Sequence, residues 1–506
     1  MNGFIPMVLV WLAFNISIIN TIRCILRKED YDFWSIFTFN AAGPIMILIG
    51  LIVMAIIGFT YHIYLNMGKA IFILILLWMI KEIILIALDF AEYNTDKFTG
   101  LRTFIFVIAL ALLLCGAFRA SFEPQIVSND ITKQLWDSSR ITYDMPSYYI
   151  TGDNCSDIRV VPWRIASERL SRAYAEEAAR LDTSDDVLDD MTDPTVLNGS
   201  FVWLNFPVFE PFKWFGGKRI PFFIYIENSP DINVYKVDKE LVYNRYYISW
   251  KHRVITVPFK HYAQYKVFQI RSDIDDEGNP YHIIYLTKQH PLYLYDKLAK
   301  IVILNAKTGK YKVYSPNDND IPQWLEVVYP DKYTHHYVSW WAKYHRYCFY
   351  RWFNKKGMYK PELGDAKFIK IGNQTFWQII LKHQASDVLA GYVMVNTRTG
   401  ELTFYKRDNY CSFSTAHYQV ERYLASGELG YRQLTVREGY LYPIRINNET
   451  IERYIFPLYS GLKLVKVAIV DPVDYNNIEI YDSVKDIFSG SSMDGYLTYE
   501  GEIDII

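Results

Sequence analysis

The sequence is poor in cysteine and carries no excess of charge of either sign. Its five cysteines, Cys24, Cys115, Cys155, Cys348 and Cys411, form no CxxC pair. That speaks against a cysteine-type zinc site, and an odd set is a poor disulfide framework. One bridge among the last three is compatible with the sequence, which does not choose it. A net charge of −2 supplies no basic field, so nucleic acid is not expected as a principal partner. There is no GxxxxGK[ST] loop and no GxSxG elbow, and Gly216-Gly217 reads as a turn. His335, His336 and His345 lack a further ligand at HExxH-like spacing, and the acidic pairs Asp185-Asp186 and Asp189-Asp190 lack the twelve-residue calcium loop. No catalytic, cofactor or metal residue is therefore named, and enzyme activity has no motif behind it. No Lys or Arg precedes the first apolar run, so a cleavable secretion signal is not expected.

Long apolar runs, by contrast, are plentiful at the start. Segments 3–20, 42–63, 70–90 and 104–120 are dominated by Ile, Leu, Val, Phe, Met and Ala, each near the about 20 residues that cross a hydrocarbon core as helix. They predict an N-terminal α-helical transmembrane packet of about four spans over 1–120, with membrane lipid around it. Arg23, Arg27 and Lys28 lie between the first two spans, Lys69 between the next two, and Lys97 and Arg102 before the last. This pattern places the first and third loops in the cytoplasm. The expected localisation is thus integral and multi-pass, with the large C-terminal domain extracytoplasmic. Lys81 and Glu82, near the middle of the third span, read either as an interhelical packing pair or as part of a transport path.

Beyond the spans the chain reads as an α+β part built of repeated modules. Leu298–Ser315, LAKIVILNAKTGKYKVYS, and Leu389–Lys406, LAGYVMVNTRTGELTFYK, share Leu, Ala, Val, Asn, Thr-Gly and Tyr at matching places. Each is a strand, a turn closing on Thr308-Gly309 or Thr399-Gly400, and a second strand, with Gly where a positive φ is wanted. Hairpins with turns at Asp275–Pro280 and Gly372-Asn373 precede the two copies. A weaker copy follows, with turns at Asn447-Asn448 and Asp471–Asn477, and a still weaker one comes first at Pro221–Tyr235. Helices are expected over Pro162–Leu181, Gln323–Val328, Val338–Phe353 and Thr415–Ala425, and a solvated acidic loop over Asp182–Asp193. The unit is a helix followed by a four-stranded antiparallel sheet. The resulting division is 1–120 spans, 121–197 linker and helical lead-in, 198–260 weak module, 261–335 and 336–430 clear modules, and 431–506 weak module with an acidic tail. Aromatics make up 17% of the chain, which fits either AT-rich codon usage or a binding surface. Trp324, Trp340, Trp341 and Trp352 are the candidate binding aromatics, although the run that holds Trp340, Trp341 and Trp352 reads more readily as a helix packing on its sheet.

A helix followed by strands that turn at Thr-Gly and end in Tyr resembles PepSY-type modules. The stretch 265–330, with Asp275, Glu277, Gly278, Pro280, Tyr281, Asn305, Thr308, Gly309, Tyr314, Pro322, Trp324, Val328, Tyr329 and Pro330, also resembles an uncharacterised membrane-anchored family of low-GC bacteria and their phages. That resemblance implies tandem PepSY-like modules that bind or restrain another protein at the outer face. It carries no catalytic residue, and the four-span packet departs from it. Two further functions stay open: a transporter or channel component using Lys81 and Glu82, and a surface enzyme acting on glycan or lipid. Oligomers are compatible with all three.

Overall fold

The computed structural model describes residues 140–180, 187–188, 192–209, 220–244, 254–262, 265–289, 296–344, 358–362, 366–384, 388–426 and 431–489. The architecture below belongs to the compact unit formed by residues 125–288 and 296–506. Four times in succession a helix precedes a four-stranded antiparallel meander. In the first module α1 (Trp163–Arg180) leads to β1 (Thr192–Leu197), β2 (Ser200–Asn205), β3 (Phe223–Glu227) and β4 (Val234–Val237). In the second, α2 (Thr256–Tyr262) leads to β5 (Lys266–Ile274), β6 (Pro280–Gln289), β7 (Asp296–Asn305) and β8 (Tyr311–Tyr314). The third has α3 (Asp331–Tyr344), β9 (Lys367–Ile371), β10 (Gln374–His383), β11 (Leu389–Asn396) and β12 (Leu402–Lys406). The fourth has α4 (Phe413–Ser426), β13 (Tyr440–Ile446), β14 (Glu449–Ser460), β15 (Lys463–Val470) and β16 (Ile478–Tyr481), closed by α5 (Asp486–Ser489).

Local chemistry explains these elements. Ala416, Val420 and Leu424 are buried at four-residue steps along α4, and the Ser412 hydroxyl accepts the Thr415 N–H at 3.1 Å as its cap. Asn447 and Asn448, at φ 53° and 67°, form the two-residue turn between β13 and β14, a conformation that Asn tolerates better than most residues. Each sheet is packed on both faces. Ile283, Tyr285, Ile301, Ile303 and Tyr314 of the second sheet meet Leu325, Val328 and Tyr333, which lead into the third module. Val254, Ile284, Leu286, Val302 and Leu304 build a separate cluster with Val257 and Tyr262 of α2. Ile274 and Ala306 of the second module complete the core of the first, beside Leu204, Phe206 and Phe223. Neighbouring modules therefore share cores.

Several expectations are corrected. The described chain is mainly β-sheet with five short helices, not a helical membrane packet. No helix among the described residues is long and apolar enough to cross a membrane, a statement that does not extend to strands. The longest, α1, has 18 residues and carries Arg164, Glu168, Arg169 and Arg172, which a hydrocarbon core would not accept. The integral, multi-pass, extracytoplasmic localisation is withdrawn on the same finding. The four segments themselves, with Lys81 and Glu82, lie outside the described residues.

Smaller differences have local causes. Gln323–Val328 is an irregular loop because Arg398 holds it: its guanidinium donates to the carbonyls of Ile321 at 3.0 Å, Pro322 at 3.1 Å and Leu325 at 2.7 Å. Those carbonyls are thereby committed to a side chain instead of to a helical ladder. Helix α3 starts at Asp331, earlier than the apolar pattern suggests. The end of the acidic stretch is not a loop, since Thr192 and Asp193 open β1. Cys155 and Cys411 are free thiols, and Cys348 lies outside the described residues.

Candidate functional site: a clamped strand on the third sheet

The paired Thr-Gly turns are alike down to single hydrogen bonds. Asn305 Oδ1 accepts the N–H groups of Lys307 and Thr308 at 3.1 and 2.8 Å, and Asn396 Oδ1 accepts those of Arg398 and Thr399, both at 2.9 Å. Gly309 and Gly400 both sit at φ 74°. An aromatic ring lies over each glycine, Tyr243 on Gly309 and Tyr329 on Gly400, where a Cβ would overlap it.

Those tyrosines belong to a strap that recurs before every module. The strap residue donates its N–H into the last turn of the meander: Tyr243 to Ala306 O at 2.8 Å, Tyr329 to Thr397 O at 2.8 Å, Cys411 to Pro472 O at 2.7 Å. Val161 instead donates to Asn228 Oδ1 at 3.1 Å. The carbonyl of the same residue accepts from a ring on the second strand. Trp203 Nε1 reaches Val161 at 2.8 Å, His282 Nε2 reaches Tyr243 at 2.9 Å, Trp377 Nε1 reaches Tyr329 at 2.7 Å and the Tyr454 hydroxyl reaches Cys411 at 3.0 Å. Straps recur at an interval of about 80 residues, which defines one repeat. Burial pushes the Cys411 thiol up to about 12, so this strap cysteine is not a nucleophile at neutral pH.

The candidate aromatics separate. Trp341 is fully buried against Phe404 at 5.4 Å, so it is core. Trp324 is half-buried and stacks on Tyr281 at 4.8 Å. Trp340 is half-buried beside His336 at 5.5 Å. Trp352 and His345 lie outside the described residues, and no group of His, Cys, Asp and Glu among the described residues could hold a metal ion.

The most elaborate surface feature involves residues that sequence reasoning placed in a linker. Arg140–Thr142 adds a parallel strand to the edge of the third sheet, with Ile141 opposite Phe404 of β12. Arg407, next after β12, donates to the carbonyls of Tyr143 and Asp144, each at 2.9 Å. It also donates to Glu452 of β14, Nε to Oε2 and Nη2 to Oε1, both at 2.8 Å. Glu452 is fully buried and also accepts the Tyr392 hydroxyl. Burial works against the Arg407 charge, but the bonded carboxylate outweighs it and holds the guanidinium above its ordinary range. Farther along, Tyr148 stacks on Phe376 at 4.5 Å and accepts the Tyr405 hydroxyl at 2.9 Å. Arg445 holds the Tyr149 hydroxyl, and Ile150 pairs in parallel with Ile444 of the fourth sheet. The result is a groove across two modules that grips an extended chain by its carbonyls and by the side chains of Tyr148 and Tyr149. Arg407 and Glu452 are 45 residues apart, and no spacing rule links them. The alternating apolar residues at Ile141 and Tyr143 were the available signal for the strand.

No family model matches this chain. No curated protein matches it either. Among solved structures it is distantly similar to the Bacillus megaterium YpeB C-terminal domain. The identity is 13%, over 46% of this chain and 95% of that one, at a TM-score of 0.16. A score that low carries no argument about fold or function.

Proposed function

We propose that this protein binds another protein by adding an extended segment of the partner to the edge of a module sheet. The observation that supports this reading is the chain's own residues 140–144, seated on β12 and gripped through two backbone carbonyls by Arg407. Strand addition draws its affinity from main-chain hydrogen bonds and its selectivity from pockets for alternate side chains. The groove offers both, with the planar Arg407 fork fixed beforehand by Glu452. Tyr148 fills the aromatic position over Phe376. A partner segment would compete with residues 140–150 for the same place.

The test uses the full chain and a labelled peptide with the sequence of residues 139–150. Ile141→Pro with Tyr148→Ala weakens the chain's own strand, because proline removes an N–H and alanine empties the aromatic position. Peptide binding, read by fluorescence anisotropy, is expected to be tighter in that variant than in the unaltered chain. Adding Arg407→Lys, which keeps the charge and loses the fork, is expected to weaken it about tenfold or more. If the peptide binds neither form, or ignores Arg407, this reading is lost.

A further inference from the structure

The second module carries the same hairpin as the third, yet its outer edge is open among the described residues. Strand β8 ends its sheet, with β7 on one side and no strand on the other. Its polar groups have a defined direction. The Asn305 N–H bonds Lys310 O at 2.9 Å, and the pairs Ile303–Lys312 and Ile301–Tyr314 follow in alternation. In an antiparallel pair that leaves the N–H and C=O of Tyr311 and Val313 aimed outward. The equivalent residue to Val313 in β12 is Phe404, the one opposite Ile141. The edge that is taken in the third module therefore has no strand on it among the described residues of the second.

Charge distinguishes this edge from the others. Lys307, Lys310 and Lys312 are all exposed on the β7–β8 hairpin and make no ion pair among the described residues. On β4 the lysine is spent on neighbours, since Lys236 pairs with Glu177 at 2.5 Å and Asp238 at 3.0 Å. Strand β16 carries an acid instead, Glu479. The nearby carboxylate Asp318 is engaged with the Ser315 N–H at 2.6 Å. Lysines on an open edge turn away strands that are basic or wholly apolar. An extended chain with carboxylates at alternate positions passes that filter, because opposite charges across a strand pair attract and like charges repel.

We infer that the β8 edge is a second docking strand, selective for an acidic extended segment of a partner protein. It rests on the edge-addition reading above but uses none of the Arg407 groove. The experiment offers the full chain two short labelled peptides of alternating Val and Thr, interleaved with Glu in one and Lys in the other. The Glu peptide is expected to bind, more weakly as salt rises, and the Lys peptide not to bind. Reversing the three charges (Lys307→Glu, Lys310→Glu, Lys312→Glu) should weaken the Glu peptide about tenfold or more and admit the Lys peptide, which also shows the variant to be folded. Val313→Pro, which deletes one outward N–H, should weaken both pairings. If neither peptide binds, or if the Glu peptide ignores the reversal, the lysines only guard the edge and the inference is overturned. Arg407→Lys should leave Glu-peptide binding unchanged, and the charge reversal should leave binding of the 139–150 peptide unchanged. The two docking ideas can thus fail separately.

Discussion

Two hairpins built on the same turn end in different surroundings. Leu298–Ser315 and Leu389–Lys406 share the Asn-anchored turn, the glycine at φ 74° and the tyrosine strap. One residue past that match the second module has Pro316 and the third has Arg407. Proline offers no donor, and among the described residues the β8 edge stays open. Arginine offers a fork, and the β12 edge holds a strand. What repeats is the set of positions that close the turn and seat the next module; what differs is the residue that decides who may lie on the edge.

The largest expected effect comes from removing that residue. Arg407→Leu leaves Glu452 buried without its cation, beside Tyr392, Tyr410 and Tyr405. Breaking a buried pair by deleting one partner costs about 3–5 kcal/mol, so the urea midpoint should drop clearly. Pro316→Leu, at the matching place in the second module, should change it by less than about 0.5 kcal/mol. Equal losses at the two places would mean that the modules differ less than their edges suggest.

The junction between the first and second modules should also respond to pH. Where the first module meets the second, Thr195 Oγ1 donates to Asp273 Oδ1 at 2.7 Å, Asp193 Oδ2 accepts the Ser272 N–H at 2.8 Å, and Arg271 donates to Pro194 O at 2.6 Å and Asp331 Oδ1 at 3.2 Å. Asp193, Asp273 and Asp331 thus surround one buried arginine. Burial pushes the Asp273 carboxyl up to about 7, with Thr195, the Ile274 N–H and Arg271 opposing. A raised carboxyl means that the folded chain holds a proton the unfolded chain has already lost. Its contribution is present below the unfolded value near 4 and is lost as pH rises to 7. From pH 5 to pH 8 stability should fall by about 2–3 kcal/mol from this group. Asp273→Asn should flatten that fall in urea titrations at the two pH values. A wild-type profile already flat would remove the titrating junction from the comparison.

The hairpins were legible in the sequence because a strand turn has strict local needs. Asn, Thr-Gly and Asn-Asn stand where positive φ and side-chain acceptors are required, and those needs hold in any surroundings. Gln323–Val328 differs from its expected helix, and Trp341 stood between two readings, for the opposite reason. Whether a tryptophan faces solvent, or a loop coils as helix, depends on what packs beside it, here Phe404 in one case and Arg398 in the other. The groove was the least legible part. It joins residues 140–150, Arg407 and Glu452, which no sequence interval connects, and its strand is only three residues long. That stretch reads as a linker because Ser, Asp, Asn and Pro are mixed with Tyr over 121–160 and little periodicity stands out.

The smallest expected effect tests what the hairpins share. Gly400→Ala asks an L-residue to hold φ 74° and to overlap the Tyr329 ring. The backbone share is about 1–2 kcal/mol, and the ring can give way only by loosening the strap whose carbonyl Trp377 holds. Gly309→Ala makes the same demand against Tyr243, where the carbonyl is held by His282. If turn and strap act as one device, the two substitutions should cost the same to within about 0.5 kcal/mol by thermal unfolding. Tyr329→Ala should then recover part of the Gly400→Ala loss and none of the Gly309→Ala loss. Recovery at both sites would mean that the straps are coupled along the array, and no recovery would assign the whole cost to the backbone. Either outcome separates what each module needs for itself from what it needs of its neighbour.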